Sequence, residues 1–447
     1  MHDPATVTLI LSCLIGQAQQ VAAPEMAEDT APTWHGDVGP IIRTHCAECH
    51  DGRGPGPFKL TDHDDVAPRA LFIKHVLQQD IMPPWLPSVN GPEFRNKRGL
   101  SAEELALIER WIDAGTPLGA RQDLGDSDPG DDAREDVVID EAVESLNASM
   151  RSPWEVPAEG GTRWFKAERD KRTFVMPLAS PEPLRIRTIS YRSTAPIVVG
   201  ATALAADSTG NARRMVDWDQ EPGSYMMGDI GFVPAGSLGV VGPGGGTLRI
   251  PDGYHLSIPA GSELVSEVHF RPQGRPWTLN DSIELVQVPD GEVSRALVAL
   301  NVMQRKIELD PDERKSFTSE LTIPQSVDLV ALTPRASRRC VSLAVVRIRD
   351  GVPPESLLQI DDWNPHYRRT YVLETPIRLD VDDRIEVTWR YDNSEANPRN
   401  PVVPAEPVSL GARVGSANIL LMCAPVDPTG TKDLQDFALE EMRRRQR

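Results

Sequence analysis

Apolar positions recur with two different periods along this chain, and the change of period divides it. Val38, Ile41 and Ile42 fall on one helical face, as do Leu105, Ile108, Trp111 and Ile112 further on. Ser101-Ala102-Glu103-Glu104 precedes the second group as a capping box, in which the serine satisfies one free amide and Glu104 reaches back to another. Gly115 and Pro117 end that helix, and residues 70–79 read as another. From about Trp154 the texture changes. Short apolar runs at 184–190, 197–204, 248–250, 264–270, 327–332, 340–348, 384–391 and 417–422 alternate with proline and glycine. Many short strands at such spacing predict β-sandwiches rather than βαβ units. The glycine run at 242–246 lacks the Lys-Ser/Thr of a phosphate loop and reads as a turn. Only 433–444 returns to a helical pattern, with Arg443, Arg444 and Arg445 complementing its dipole.

The helical part carries Cys46-Ala47-Glu48-Cys49-His50. Two thiols three residues apart on a helical turn can reach the two vinyl groups of one porphyrin, and the adjoining histidine is placed to ligate its iron. Zinc needs four ligands, and no second Cys-x-x-Cys or His-x-x-His accompanies this motif. A thioredoxin-like pair would want βαβ surroundings, which the pattern lacks. Downstream, Ile81-Met82-Pro83-Pro84-Trp85 offers a thioether as the sixth ligand. A residue before proline is pushed out of the helical region, so Met82 projects from an extended turn, and Trp85 is expected to wall the porphyrin edge. His63 and His75 are the rival ligands.

The run from Gly39-Pro40-Ile41 through Met82-Pro83-Pro84-Trp85 to Trp111-Ile112-Asp113-Ala114-Gly115-Thr116-Pro117 resembles small cytochrome c domains. Such domains occur fused to modules of the copper type II, ascorbate-dependent monooxygenase family, the peptidylglycine-hydroxylating type. The resemblance implies haem c attached at Cys46 and Cys49, His50 as proximal ligand and Met82 as distal ligand. It continues more weakly through Ile258-Pro259-Ala260-Gly261-Ser262-Glu263-Leu264-Val265 to Val268-His269-Phe270, similar to the strand that carries a copper histidine in the family's first sandwich. Leu332-Thr333-Pro334 and Tyr391-Asp392-Asn393-Ser394-Glu395-Ala396-Asn397-Pro398 look like landmarks of the second. The implied fold is multidomain: a small all-α cytochrome c-like domain (33–119) followed by two tandem all-β jelly-roll sandwiches (150–303 and 304–430). An acidic linker (120–149) joins them, and a helical tail (431–447) closes the chain.

The family's copper ligands are mostly missing. Five histidines and a methionine hold its two coppers, whereas His255, His269 and His366 are the only histidines after residue 150. The family's paired histidines fall near Val199, Gly200 and Ala201, and its Pro-His-Met-His motif reads Pro334-Arg335-Ala336-Ser337. A fixed guanidinium repels metal. The family's methionine falls near Asn418, with Met422 close by. His269 is the one carried-over ligand position, and a residual site with His255 requires that their strands pair. Copper is therefore not an expected cofactor.

Length, charge and cysteine use add context. At 447 residues, two or three domains are expected. Residues 1–18 read as an export signal, with an apolar core at 7–16 and Gly16-Gln17-Ala18 before a cleavage point. Haem c is assembled outside the cytoplasm, so motif and signal agree on a periplasmic or extracellular protein, and no later run is long enough to span a bilayer. The net charge of −19 argues against nucleic acid and suits a basic redox partner. Much of the acidity lies between Asp123 and Glu144, where it reads as a mobile tether rather than a calcium loop. Of five cysteines, Cys13 leaves with the signal. Cys340 and Cys423 remain, either bridged, which would stabilise by about 4 kcal/mol in the chain-entropy model, or as separate buried thiols.

Three functions compete: an exported haem c electron carrier whose sandwich module binds or docks, an active copper monooxygenase fed by its own haem, and a structural subunit of a larger redox assembly. Ligand arithmetic favours the first. Copper reconstitution of the purified protein is expected to give no stoichiometric metal in residues 150–447 and no ascorbate-dependent oxygen uptake. Two tightly held coppers per chain, measured by elemental analysis, would reverse that choice.

Overall fold

The computed structural model describes residues 31–52, 56–120, 144–158, 170–195, 200–218, 223, 236–270, 274–410 and 417–446. The export segment 1–18 and most of the acidic stretch, 121–143, lie outside the described residues.

A π-helical turn, Trp34–Val38, leads directly into α1 (Gly39–His45) and α2 (Ala47–His50). Three more helices follow: α3 (His63–Val66), α4 (Ala70–Gln78) and α5 (Ala102–Asp113). Their apolar faces meet in one cluster that includes Trp34, Val38, Ile42, Ile73, Ile108 and Trp111. Each such side chain contributes roughly 1.5–3 kcal/mol on burial. The capping box forms: Ser101 Oγ accepts from Glu104 N–H at 3.1 Å, and Ser101 N–H donates to Glu104 Oε2 at 2.7 Å. Trp111, fully buried, satisfies its indole N–H on the Pro117 carbonyl at 3.0 Å, which fixes the turn after α5.

The β region is two sandwiches of the same topology. In the second, the eight main strands in chain order are Val298–Gln304, Arg314–Thr322, Val327–Ala336, Cys340–Arg349, Val352–Ile360, Tyr371–Leu379, Arg384–Asp392 and Ala417–Pro425. One antiparallel sheet runs first-eighth-third-sixth and the other second-seventh-fourth-fifth. This is the jelly-roll order. The first sandwich repeats it with Ser145–Ser149, Asp170–Met176, Leu184–Arg192, Thr202–Asp207, Ser237–Val241, Tyr254–Ile258, Glu263–Phe270 and Ser282–Gln287. The short strand Gly245–Arg249 pairs additionally with Leu184–Arg192.

This topology moves the domain edges read from sequence. Ser145–Ser149 lies inside the stretch assigned to the linker, yet it is the first strand of a jelly roll and pairs along its length with Ser282–Gln287. All of Val298–Gln304 but its last residue lies inside the span assigned to the first sandwich, yet the strand pairs with Ala417–Pro425 and opens the second. The tail helix α7 (Thr431–Gln446), which follows α6 (Asn211–Trp218) in the chain, is no appendage: Leu434 and Ala438 are buried in the second core. Cys340 and Cys423 stand as separate buried thiols on the two facing sheets of that core. Burial holds both well above the usual thiol range. No helix among the described residues is long and apolar enough to cross a membrane.

The helical part is tied to the second sandwich by the segment between α4 and α5. Ser88 N–H donates to Gln359 O at 2.7 Å, Arg95 N–H to Val372 O at 2.8 Å, and Asn96 Nδ2 to Thr370 O at 2.7 Å. Trp85 packs edge-on against Tyr371 at 5.4 Å and Phe94 at 6.1 Å, all within the second core cluster. The expectation that Trp85 walls a porphyrin is thereby corrected: the sandwich claims the indole, since an aromatic pair is available there. A protease site placed between residues 125 and 140 should therefore leave two cut fragments that co-elute on gel filtration. Adding Trp85→Ala and Phe94→Ala should separate them, because emptying such aromatic sites costs about 3–5 kcal/mol each. Separation of the cut wild-type chain would show the contact to be weak.

Candidate functional site

Cys46 sits at the junction of α1 and α2, closing the first helix through its N–H to Ile42 O at 2.9 Å and starting the second. Its carbonyl accepts from Cys49 N–H at 3.2 Å and His50 N–H at 3.0 Å. Both thiols and the imidazole thus project from one turn. Neither cysteine is in a disulfide. Burial, then the neighbouring Cys49, pushes the Cys46 thiol up to about 12, opposite to the depressed value of a redox-active thiolate. Arg98 Nη1 approaches Cys49 Sγ at 3.9 Å.

His50 is buried and oriented. Its Nδ1–H donates to the Phe58 carbonyl at 2.9 Å, and the Phe58 ring lies 5.0 Å from the imidazole. A hydrogen bond at Nδ1 leaves the lone pair on Nε2, the tautomer a metal ligand needs. Gly56 makes this approach feasible: a Cβ there would lie 2.4 Å from His50 Nδ1 and 2.6 Å from the Cys49 carbonyl. The sequence reading missed both Gly56 and Phe58, although a glycine shortly after such a motif signals a close backbone approach.

The other candidate ligands separate cleanly. Met82 is half-buried and packs against the same helical cluster as Cys46 and Phe58. His63 is committed elsewhere: Nε2–H donates to Thr116 O at 2.8 Å, Nδ1 lies 3.6 Å from Asp64, and its ring meets Trp34 and Trp111 edge-on. His75 is exposed on α4.

A haem c suits this donor set. Two undisulfided thiols, an imidazole with Nε2 available and a thioether share one turn or one apolar cluster, and Gly56 keeps the backbone close to the imidazole. Among the described residues, no group of three or more His, Cys, Asp or Glu side chains is placed to hold a metal ion.

In the β region, His269 lies on Glu263–Phe270 with Nε2 3.5 Å from Glu267. His255 lies on the opposite sheet of that sandwich, so the strand pairing that a His255/His269 site requires does not occur. Its Nδ1 meets Ser294 Oγ at 2.8 Å, and burial with Arg185 and Arg187 holds its pKa down to about 4. The histidine that comes near His269 is instead His366: a Cβ on Gly200 would lie 3.3 Å from His269 Cγ and 3.5 Å from His366 Nδ1. Arg338 Nη2 donates to His366 Nε2 at 3.1 Å, placing a cation where a metal would compete.

No protein-family model matches the chain, and no curated protein is significantly similar to it. Among solved structures, it is similar to the major capsid protein P2 of bacteriophage PM2, at 9% identity over 63% of this chain and 97% of that one, with a TM-score of 0.28. A chain of Sulfolobus Turreted Icosahedral Virus matches at 10% identity over 68% and 99%, with a TM-score of 0.26. A putative alpha-L-fucosidase from Bacteroides ovatus matches at 10% identity over 62% and 39%, with a TM-score of 0.16. Likenesses this distant assign neither family nor function.

Gly56→Ala tests the close approach directly. Overpacking of this kind costs about 1–3 kcal/mol, so the variant should unfold earlier and shift the His50 ring resonances. Unchanged stability and shifts would mean that the turn has slack.

Proposed function

We propose that this chain is an exported c-type cytochrome that carries single electrons through a covalent His/Met haem. Its sandwich module, resembling a copper monooxygenase stripped of most ligands, serves binding or docking. The observation that carries this reading is the His50 Nδ1–Phe58 carbonyl hydrogen bond beside two undisulfided thiols, because it prepares Nε2 for iron. Cys46 and Cys49 would hold the porphyrin, His50 one axial position and Met82 the other. When bound, haem c supplies a reversible one-electron couple, and thioether ligation raises its potential. The commitment of His63 to Thr116 and the exposure of His75 support Met82 over its rivals. A basic redox partner in the periplasm or extracellular space fits the net charge of −19.

The copper-oxidase reading finds less support. His269 and His366 do approach each other, but Arg338 occupies His366, and the third histidine of this half, His255, lies on the opposite sheet of the first sandwich.

The test is maturation in an export-competent host with haem c machinery. Acid-acetone extraction should leave haem on the wild-type chain and remove it from the Cys46→Ser, Cys49→Ser variant. The oxidised wild type should show a far-red sulfur-to-iron band that Met82→Ala abolishes. Extractable haem would sink the attachment, and a missing band, or one that survives the substitution, would remove Met82 as ligand.

A further inference from the structure

The segment between α4 and α5 meets the candidate site at both of its ends and the second sandwich in between. At its start, Ile81 N–H and Met82 N–H both donate to the Val76 carbonyl, at 2.9 and 3.3 Å, and Met82 packs on the helical cluster. Trp85 and Leu86, which follow closely, pack instead on the core of the second sandwich. At its far end, Arg98 Nη1 lies 3.9 Å from Cys49 Sγ, and Leu100 packs on the helical cluster again.

The middle of the segment clasps both sheets of that sandwich. Val352–Ile360 and Tyr371–Leu379 are edge strands, one from each sheet, and an edge strand offers unpaired backbone groups. Pro87 bridges Ile360 and Phe94 bridges Leu373. Besides the bonds from Ser88, Arg95 and Asn96 Nδ2, Glu374 N–H donates to Glu93 O at 2.9 Å and Val372 N–H to Asn96 Oδ1 at 3.1 Å. Between Met82, held at the end of α4, and Trp85, held on the sandwich, stand only Pro83 and Pro84. Three residues reach at most about 10–11 Å, and each proline fixes its own φ near −65°. That link has little slack, so a movement of Trp85 relative to α4 is passed to Met82.

We infer that the second sandwich positions the Met82 thioether. Its two edge strands hold Trp85, Phe94 and Asn96, and the Pro83-Pro84 link carries that placement to Met82. Release of the clasp from the edges withdraws the thioether from the axial position assigned to it. Trp85, Phe94 and Asn96 are thus positioning residues, and the docked state is the one of higher potential, since thioether ligation raises it. The consequence for ligation rests on the haem reading, whereas the mechanical link stands without it.

The experiment uses the full chain in two arms. In the first, without haem, the methionine methyl groups carry carbon-13, and Met82→Leu identifies the Met82 signal. Trp85→Ala should move and sharpen that signal. Phe94→Ala combined with Asn96→Ala should do the same while leaving the sequence neighbours of Met82 unchanged. Met176, buried in the core of the first sandwich, should keep its signal in all variants, which shows that the fold survives. Trp85→Phe, which keeps an aromatic ring on Tyr371, should leave Met82 in place. In the second arm, on the haem-loaded chain, the alanine variants should retain haem through acid-acetone extraction yet lose the far-red band and fall in potential. Added imidazole, which must displace the thioether, should bind them about tenfold or more tightly than the wild type, and Trp85→Phe should restore wild-type behaviour. A Met82 signal unmoved in both alanine variants, or a far-red band that persists in both, overturns the inference. A wild type without covalent haem would sink the haem reading instead, and the methyl signals alone would then decide the mechanical link.

Discussion

The arrangement of the β region depends on one strand being buried on both faces. All nine residues of Ala417–Pro425 are buried. Ala417, Ile419, Leu421 and Cys423 face the core of their own sandwich. Met422 and Ala424 join the core of the other, while Asn418 and Leu420 border the cavity between them. Because successive side chains point to opposite faces, a strand without polar alternation can satisfy two cores at once. The partner strand Val327–Ala336 does the same after a register shift at Leu329/Ala331, sending Val330 and Ala331 across the interface. The two jelly rolls therefore share hydrophobic contact rather than hanging from a tether.

Where the two sandwiches meet, apolar continuity breaks at a set of polar residues. Asn418, Thr333, Arg335, Arg368 and Glu267 lie at one end of the contact, and Met422, Ala424, Val330 and Val372 fill the other. The segment carrying Asn96 and Arg98 brings the helical part toward the same region: Asn96 hydrogen-bonds Thr370 and Arg98 reaches Cys49. Thr370 in turn meets Thr333 at 2.7 Å, a wall of the cavity. Hydrogen bonds and the short stretches of chain between them thus link the Cys-x-x-Cys-His turn to the junction of the sandwiches.

Several features were legible in the residues because their causes are local. The capping box at Ser101, the helical face through Trp111, and the thiols and imidazole on one turn all depend on neighbours within a few positions. The tail helix was legible for the same reason, but its docking through Leu434 and Ala438 was not. Trp85 illustrates the opposite case. Its neighbours in sequence suggested one role, and Tyr371, nearly three hundred residues away, decided another.

The sequence by itself determined the change from helical to alternating period, the spacing of Cys46, Cys49 and His50, and the shortage of histidines after residue 150. These are counts and periodicities, which need no knowledge of distant contacts. Only the tertiary structure decided where each jelly roll begins, because the first strand of each pairs with its eighth across more than a hundred residues. It also decided which tautomer His50 adopts, through the Phe58 carbonyl, and that His366 rather than His255 approaches His269. The juxtaposition of Arg335 with Arg368 and Glu267 belongs to the same class. Each residue lies on a different element, and only the packing of one sheet on another puts their charges into a common low-dielectric space.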